Sequence, residues 1–457
     1  MTVAPHPASF RDPSGFIFEK DRTFYRAVAS SYEADYDRLM NSGLYEALTS
    51  KGWLIPHEEA SASGLELPAG YNLVLKPERI PFISHPYEWS FSQLKEAALL
   101  TLDIQAAAME HGLTLKDASS FNVTWHKGRP VFIDTLSFTV FKEGRPWEAY
   151  GQFCSHFLAP LALMSRRDLR LQKLMREYLG GIPLDLASML LPRRSWLSLG
   201  CLLHIHLHAR SQKKYSASKN KIKASLSKKA FGNLITGLRL MVEGFKFPQA
   251  VTEWGDYYND TNYTSAQFQE KREVISSWID EMKPNAVCDL GANDGTFSRL
   301  AENTASLVVA ADIDPVAVEL NYRRCRLDND HVMIPLLQDL TQPSPSLGWE
   351  LKERADFFSR LDVELGLALA LVHHLAIGNN TPLPKVCSML AKAAPAWIVE
   401  FPDKEDSQVQ RLLLNREDIF SDYTIEVFEQ SLNKYFSIVK KHQIGGSRRI
   451  LYLAVRR

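Results

Sequence analysis

The 457-residue chain carries no excess charge of either sign, with 53 Lys and Arg set against 53 Asp and Glu. No global field therefore draws it to nucleic acid or to an anionic membrane. Its five cysteines (Cys154, Cys201, Cys288, Cys325 and Cys387) include no Cys-x-x-Cys pair, which argues against a disulfide framework and a zinc knuckle. Apolar runs are short. The longest, such as Phe157 to Met164, fall well below a bilayer span, and the N-terminus has no apolar core of signal-peptide type. A soluble, cytoplasmic protein is expected. The composition, 45% hydrophobic and 23% charged, is that of an ordinary globular protein, and the length suggests two or three domains.

What the chain does have is a glycine turn with unusual neighbours. Val287-Cys288-Asp289-Leu290 is a short apolar run ending in Gly291-Ala292-Asn293-Asp294-Gly295-Thr296-Phe297, the pattern of a buried parallel strand turning sharply into a helix. A second apolar run, Val308 to Ala311, closes on Asp312, followed by Ile313, Asp314 and Pro315. A carboxylate there can accept hydrogen bonds from both hydroxyls of a ribose. A dinucleotide fingerprint would need glycine in place of Asn293 and Thr296, so that a pyrophosphate could lie against bare backbone, and Asp294 would repel phosphate. The carboxylate-rich turn suits a cofactor with no phosphate and with positive charge on sulfur and amine.

On these residues the chain resembles the class I S-adenosylmethionine-dependent methyltransferases. The match runs through Asp289, Gly291 and Gly295, then Asp312, then Gln338-Asp339-Leu340 after a third run. It covers roughly the last 200 residues, and three ordered elements are more specific than a lone glycine turn; the competing reading is a fortuitous strand-turn-helix. The resemblance implies an α/β fold, a Rossmann-like sheet with helices on both faces. It also implies S-adenosyl-L-methionine held by Asp289, Gly291, Asn293, Asp294, Gly295, Phe297, Asp312, Ile313, Asp339 and Leu340. Asp289, Gly291 and Gly295 would shape the methionine end, Asp312 would hold the ribose, and Asp339 would sit by the adenine.

Further along, Asp362 to Leu371 reads as a strand ending at Val372-His373-His374-Leu375, and Ala396 to Val399 as one ending at Glu400. Ligands of open parallel sheets sit at the carboxyl ends of the strands. His373 or His374 is thus a candidate general base for an oxygen or nitrogen nucleophile, with helix capping or pocket shaping as the alternative. Glu400 could orient the acceptor or be a plain strand-end carboxylate. Tyr435 to Ile444 and Arg449 to Val455, joined through Gly445-Gly446, look like the closing antiparallel hairpin of such a sheet. The fourth motif lacks the Asn-Pro-Pro-Tyr sequence of methyltransferases acting on planar nitrogens. A small-molecule or saccharide acceptor is expected, with no nucleic acid and no membrane span; the sequence does not fix the oligomeric state. More loosely, the chain is similar to methyltransferase-like proteins of nodulation and polysaccharide functions. The alternative function is a non-catalytic cofactor sensor coupled to a nucleotide-binding module.

Three stretches are expected: an α+β domain over 1–195, a helical, basic connector over 196–250, and the methyltransferase domain over 251–457. In the first, Phe91 to Glu110 has helical spacing. Leu115-Lys116-Asp117, with Asn122 five residues after the aspartate and Asp134 closing a hairpin, weakly resembles the catalytic and metal-binding loops of protein-kinase-like folds. Leucine replaces the usual histidine, Thr135-Leu136 replaces Phe-Gly, and no glycine-rich loop is evident. The resemblance implies a degenerate kinase-like domain serving as scaffold or substrate module; active phosphoryl transfer with Mg-ATP and an unrelated helical accessory domain are the alternatives. Without it, Asp117 and Asn122 read as cap and turn residues. The connector carries His204, His206 and His208, read as core or interface residues rather than metal ligands, and basic residues from Arg210 to Lys229, read as a solvated linker. Trp254 to Tyr258, with Asn262, Tyr263 and Thr264, reads either as a lid over the cofactor or as interface packing.

Overall fold

The computed structural model describes residues 3–457 other than 62, 64, 217–225, 249–262 and 415. The chain divides into two compact units, Met1–Gln249 with Leu347–Arg354, and Ala250–Ser346 with Ala355–Arg457. Most of the expected lid, Trp254 to Tyr258 and Asn262, lies outside the described residues, as do Lys219, Lys221 and Lys223 of the basic run.

The first unit begins with an antiparallel sheet of order β1-β2-β4-β3, made by β1 (Gly15–Lys20), β2 (Thr23–Ala29), β3 (His57–Ala60) and β4 (Tyr71–Pro77). Residues alternate between its two faces. Phe16, Phe18, Ala27 and Val74 pack on one side, while Val28 and Leu75 pack with Tyr32, Tyr36 and Leu136 on the other. The helix Phe91–Glu110 follows, opened by a capping box in which Ser90 Oγ accepts from the Gln93 N–H and the Gln93 side chain accepts from the Ser90 N–H. Next come β5 (Leu113–Leu115), β6 (Val123–His126), β7 (Arg129–Phe132) and β8 (Phe138–Val140), with β5 pairing β8 and β6 pairing β7. The β6–β7 turn is Lys127-Gly128, both at positive φ, as a two-residue hairpin turn requires.

Residues 196–248, where described, fold within this first unit. The helix Lys228–Gly244 buries Phe231, Ile235, Leu238 and Val242, one stripe at helical spacing. It is tied to the helix Phe91–Glu110 by an Arg239–Asp103 ion pair and by Lys95 Nζ, which donates to the carbonyls of Glu243 and Phe245 at 2.8 Å.

The second unit is a seven-stranded sheet of order β11-β10-β9-β12-β13-β15-β14. Its strands are β9 (Ala286–Leu290), β10 (Leu307–Asp312), β11 (Met333–Leu337), β12 (Leu365–Ala368), β13 (Ala396–Pro402), β14 (Phe436–Gln443) and β15 (Arg449–Arg456). The first five are parallel, and β15 pairs antiparallel with both β13 and β14. All residues of β9, β10 and β13 are buried, so both sheet faces are covered, as parallel sheets require. On one face Ile275, Trp278 and Ile279 of the helix Ser265–Met282 join Val287, Val308, Leu365, Leu367, Ile398 and Leu451 in one core. Gly366 is glycine because the Trp397 ring occupies the place of its side chain, 2.4 Å from where a Cβ would stand.

Counted within the unit, the strand order is 3-2-1-4-5-7-6, the Rossmann-like order of the class I methyltransferase fold, and the C-terminal hairpin falls where the sequence places it. Two boundaries differ from expectation. The run from Asp362 to Leu371 supplies only four strand residues, because Ala370 turns to φ +50° just after them. β13 continues to Pro402 instead of stopping at Val399, because β15 pairs with it through Glu400↔Leu451 and Pro402↔Arg449.

Candidate functional site

The chain steps outward from β9 to β10 and β11, then returns to β12 on the other side of β9. This is a topological switch point, and in open α/β sheets ligands bind outside the carboxyl ends of the strands there. The turn after β9 and the loop after β12 face each other: a Cβ on Gly291 would lie 3.2 Å from Leu371 Cδ1. Gly291 and Gly295 adopt φ +81° and +78°, and Asn293 shares the left-handed region at φ +50°, which asparagine tolerates better than most residues. Gly295 is also sterically fixed, since a Cβ there would meet Asn321 Oδ1 at 2.5 Å.

Asp312 stitches two turns together. Its Oδ2 accepts from the Asn293 N–H and its Oδ1 from the Asp314 N–H, both at 2.8 Å. Burial pushes its carboxyl up to about 6 despite these bonds. Asp314 caps the helix Pro315–Asp328. Asp289 is fully enclosed. Its Oδ2 accepts from Ser298 Oγ at 2.6 Å, whereas Oδ1 has no hydrogen-bond partner among the described residues. Burial, with Asp312 adding to it, pushes this carboxyl up to about 7 against the opposing pull of Ser298 and Lys271. An orphaned buried carboxylate oxygen is costly, and a cationic or N–H-bearing ligand would satisfy it.

The remaining expected cofactor residues line the same strand ends. Asn293 Oδ1 accepts from the Asp294 N–H, and Asp294 Oδ1 from Thr296. Phe297 is buried and packs on Phe268. Ile313 is exposed at the end of β10. Beyond β11, Gln338 donates its N–H to the Asp312 carbonyl at 2.7 Å, Asp339 Oδ1 accepts from the N–H and hydroxyl of Thr341, and Leu340 is half-buried.

The fifth strand leads to a buried ion network that no spacing in the sequence announces. Glu400 receives Tyr263 Oη and Arg449 Nη1 on Oε1, and Lys271 Nζ at 2.5 Å on Oε2. Arg449 also grips Asp406 with two bonds of 2.8 and 3.1 Å. Lys271, Glu400, Asp406 and Arg449 are all buried. Burial alone would raise the Glu400 carboxyl, but Lys271 and Arg449 outweigh it and hold it at about 2. Glu400 is thus a committed carboxylate within β13, not an unengaged one at its edge. One signal was available: Lys271 occupies the apolar stripe of its helix together with Phe268, Ile275 and Trp278, a buried position that lysine takes only with a partner. Arg449, Asp406 and Tyr263 lie too far apart in sequence to form a motif.

His373 is fully buried, and neither ring nitrogen has a hydrogen-bond partner among the described residues. His374 is adjacent, with ring centroids 4.1 Å apart. Burial pushes His374 down to about 4, with Arg449 adding to the effect, and His373 further below its ordinary value. Both are neutral imidazoles at neutral pH.

In the first unit Asp117, Asn122 and Asp134 are linked by hydrogen bonds. Asp117 Oδ1 accepts from Asn122 Nδ2 and from the Ser119 N–H, both at 2.9 Å; Asn122 also donates to Ser137 Oγ, which in turn donates to Asp134. Asp134 pairs with Arg26 on β2. Burial works to raise Asp134, yet Arg26 and Ser137 hold it below the usual carboxylate range. The histidines at 204 and 206 are hydrogen-bonded. His204 Nδ1 meets Tyr150 Oη at 2.8 Å, and His206 lies between Ser188 and Ser195 at 2.7 and 2.8 Å.

No protein-family model matches the chain. Among solved structures, magnesium protoporphyrin IX methyltransferase from Synechocystis PCC 6803, crystallised with S-adenosylmethionine, is 18% identical, covering 45% of this chain and 89% of its own at a TM-score of 0.31. The N-methyltransferase NodS from Bradyrhizobium japonicum WM9 is 11% identical, covering 42% and 97% at a TM-score of 0.32. These likenesses span less than half of the chain, and the fold assignment rests on the strand order itself. Over the full length, the nodulation protein NoeA of Rhizobium meliloti (strain 1021) is 36% identical across 470 residues, 99% of this chain and 97% of that protein. With an alignment that spans both units, the chain belongs to the family of the nodulation protein NoeA.

Proposed function

We propose that the chain is an S-adenosylmethionine-dependent methyltransferase whose acceptor is a small molecule or a saccharide, and that, like its NoeA relative by name, it serves nodulation. The observation that carries this reading is the orphaned, buried Asp289 Oδ1 in an acidic glycine turn at the switch point of a 3-2-1-4-5-7-6 sheet. The donor set fits the cofactor. Asp289, Gly291, Asn293, Asp294, Gly295 and Phe297 would hold its methionine end, Asp312 and Ile313 its ribose, and Asp339 and Leu340 its adenine. When bound, it supplies an electrophilic methyl group on a sulfonium sulfur. The protein's part is to align the acceptor and exclude water. His374 or His373 would take the acceptor proton on a ring nitrogen. Glu400, with both oxygens engaged, acts as a positioning residue that fixes Lys271, Arg449 and Tyr263. Incubation with methyl-labelled cofactor and a panel of oligosaccharides, alcohols and amines tests the reading: label should appear in an acceptor, whereas tight cofactor binding without turnover across the panel would favour a sensor.

Cofactor affinity should depend on pH through Asp289. Its carboxylate form is the one that meets a cation, so with a value of about 7 binding must expel a proton at lower pH. Affinity should rise with pH up to about 7 and level off above, changing by up to about tenfold per unit on the acid side. Calorimetry in buffers of different ionisation enthalpy would detect the released proton, and Asp289→Asn should abolish both the release and the slope.

Catalysis through His374 should be flat with pH. Because its value is pushed down to about 4, kcat should show no inflection from about pH 5 to pH 8, whereas an ordinary histidine would give one near about 6.5. His374→Ala should lower kcat by about 10²-fold and leave cofactor affinity unchanged.

For the first unit, a degenerate kinase-like scaffold fits best. Its two aspartates are already bonded within the protein, Asp134 to Arg26 and Ser137, Asp117 to Asn122 and the Ser119 N–H. Titrating Mg-ATP into the full chain should give no heat. Heat that disappears in Asp134→Ala would instead establish a nucleotide site.

A further inference from the structure

The balanced total charge conceals a segregated stretch. Residues 186–242 contain eleven Lys and Arg and no Asp or Glu. Within this stretch the first unit also exposes large apolar side chains: Leu197 is 90% exposed, Met189 78% and Leu199 70%, with Leu203 and Leu207 exposed to a lesser degree. The segments that carry these residues are joined at His206. His206 bonds to Ser188, beside Met189, and to Ser195, two residues before Leu197. It stacks on Trp196 at 4.1 Å between centroids, and the Arg210 guanidinium lies 4.7 Å from the Trp196 ring. Leu199, Leu203 and Leu207 recur every four residues along the helical segment that carries His206. Arg193 and Arg194 are exposed beside Leu197, and Arg210 is exposed beyond Leu207.

Exposed leucines around a half-buried tryptophan, rimmed by arginines, have the chemistry of a surface that lies in a membrane interface. The apolar side chains would enter the acyl boundary, the indole would sit at headgroup level, and the guanidinium groups would meet lipid phosphates. Soluble monomers rarely expose such apolar groups together, and the positive rim selects an anionic partner. We propose that this surface, centred on Trp196, Leu197 and Leu199, docks the protein peripherally onto an anionic phospholipid bilayer. No membrane-spanning helix is involved, since among the described residues no helix is long and apolar enough to cross one.

The test is co-sedimentation of the full chain with vesicles of phosphatidylcholine alone or mixed with phosphatidylglycerol, at low and high salt. Binding should require phosphatidylglycerol and weaken with salt. It should fall about tenfold or more in Leu197→Ser with Leu199→Ser, and likewise in Arg193→Glu with Arg194→Glu. These exposed positions should leave thermal melting unchanged, which separates lost docking from lost folding. Failure to sediment with phosphatidylglycerol vesicles would overturn the proposal. So would binding that survives the leucine changes, or retention on duplex DNA without vesicle binding, which would mark a nucleic-acid surface.

Discussion

Replacing Glu400 with alanine is expected to destabilise the second unit by about 3–5 kcal/mol, because it leaves Lys271 and Arg449 buried with their shared counter-ion gone. For a unit of this size the melting temperature should fall on the order of 10 °C. The cost comes from the stranded cations more than from the lost bonds. Glu400→Leu combined with Lys271→Met should therefore cost less than the two single changes summed, since Arg449 keeps Asp406 as partner. The network also predicts an acid dependence. Glu400 sits at about 2 when folded, against an ordinary value of 4.5. Its contribution is complete above the ordinary value and is lost as pH falls from there toward about 2. Glu400→Ala should lack that part of the acid sensitivity, as equilibrium denaturation across this window would show.

The second large effect concerns binding. Asp312→Ala should weaken S-adenosylmethionine binding by about 10²-fold, as expected for losing charge-assisted hydrogen bonds to a ribose. Because Asp312 also accepts from the Asn293 and Asp314 N–H groups, the unliganded protein should lose about 1–3 kcal/mol as well. Asp312→Asn retains an acceptor oxygen and should fall between. Calorimetric titration paired with melting curves distinguishes the two effects. A variant that melts lower but binds as tightly as the parent would remove Asp312 from the cofactor site.

What is readable in the sequence is local in the chain. Val287 to Leu290 and Val308 to Asp312 are apolar runs closed by turn residues, and the helices Phe91–Glu110 and Ser265–Met282 begin with Ser-x-x-Gln and Thr-x-x-Gln boxes. The C-terminal hairpin announces itself through Gly445-Gly446. The ion network was hidden because it joins Lys271 to Glu400 and Arg449, 129 and 49 residues from Glu400 respectively. No spacing rule reaches that far, and Glu400 read alone is an ordinary strand-end carboxylate. His373 and His374 follow the fourth strand in the sequence, but their low basicity comes from burial near Arg449, which only the fold supplies. The short fourth strand was misread because Leu369, Ala370 and Leu371 continue its apolar pattern while the backbone turns away at Ala370. The segregated basic stretch was visible as composition; that leucines stand exposed within it was not, since an apolar helix face is more often buried.

Isothermal titration of S-adenosylmethionine into the full chain, with Asp312→Ala alongside, decides whether the acidic glycine turn is a cofactor site. A single site of about micromolar affinity is expected, with proton release below neutral pH and severe weakening in the variant. No heat at millimolar cofactor, or binding that the variant leaves intact, would contradict it.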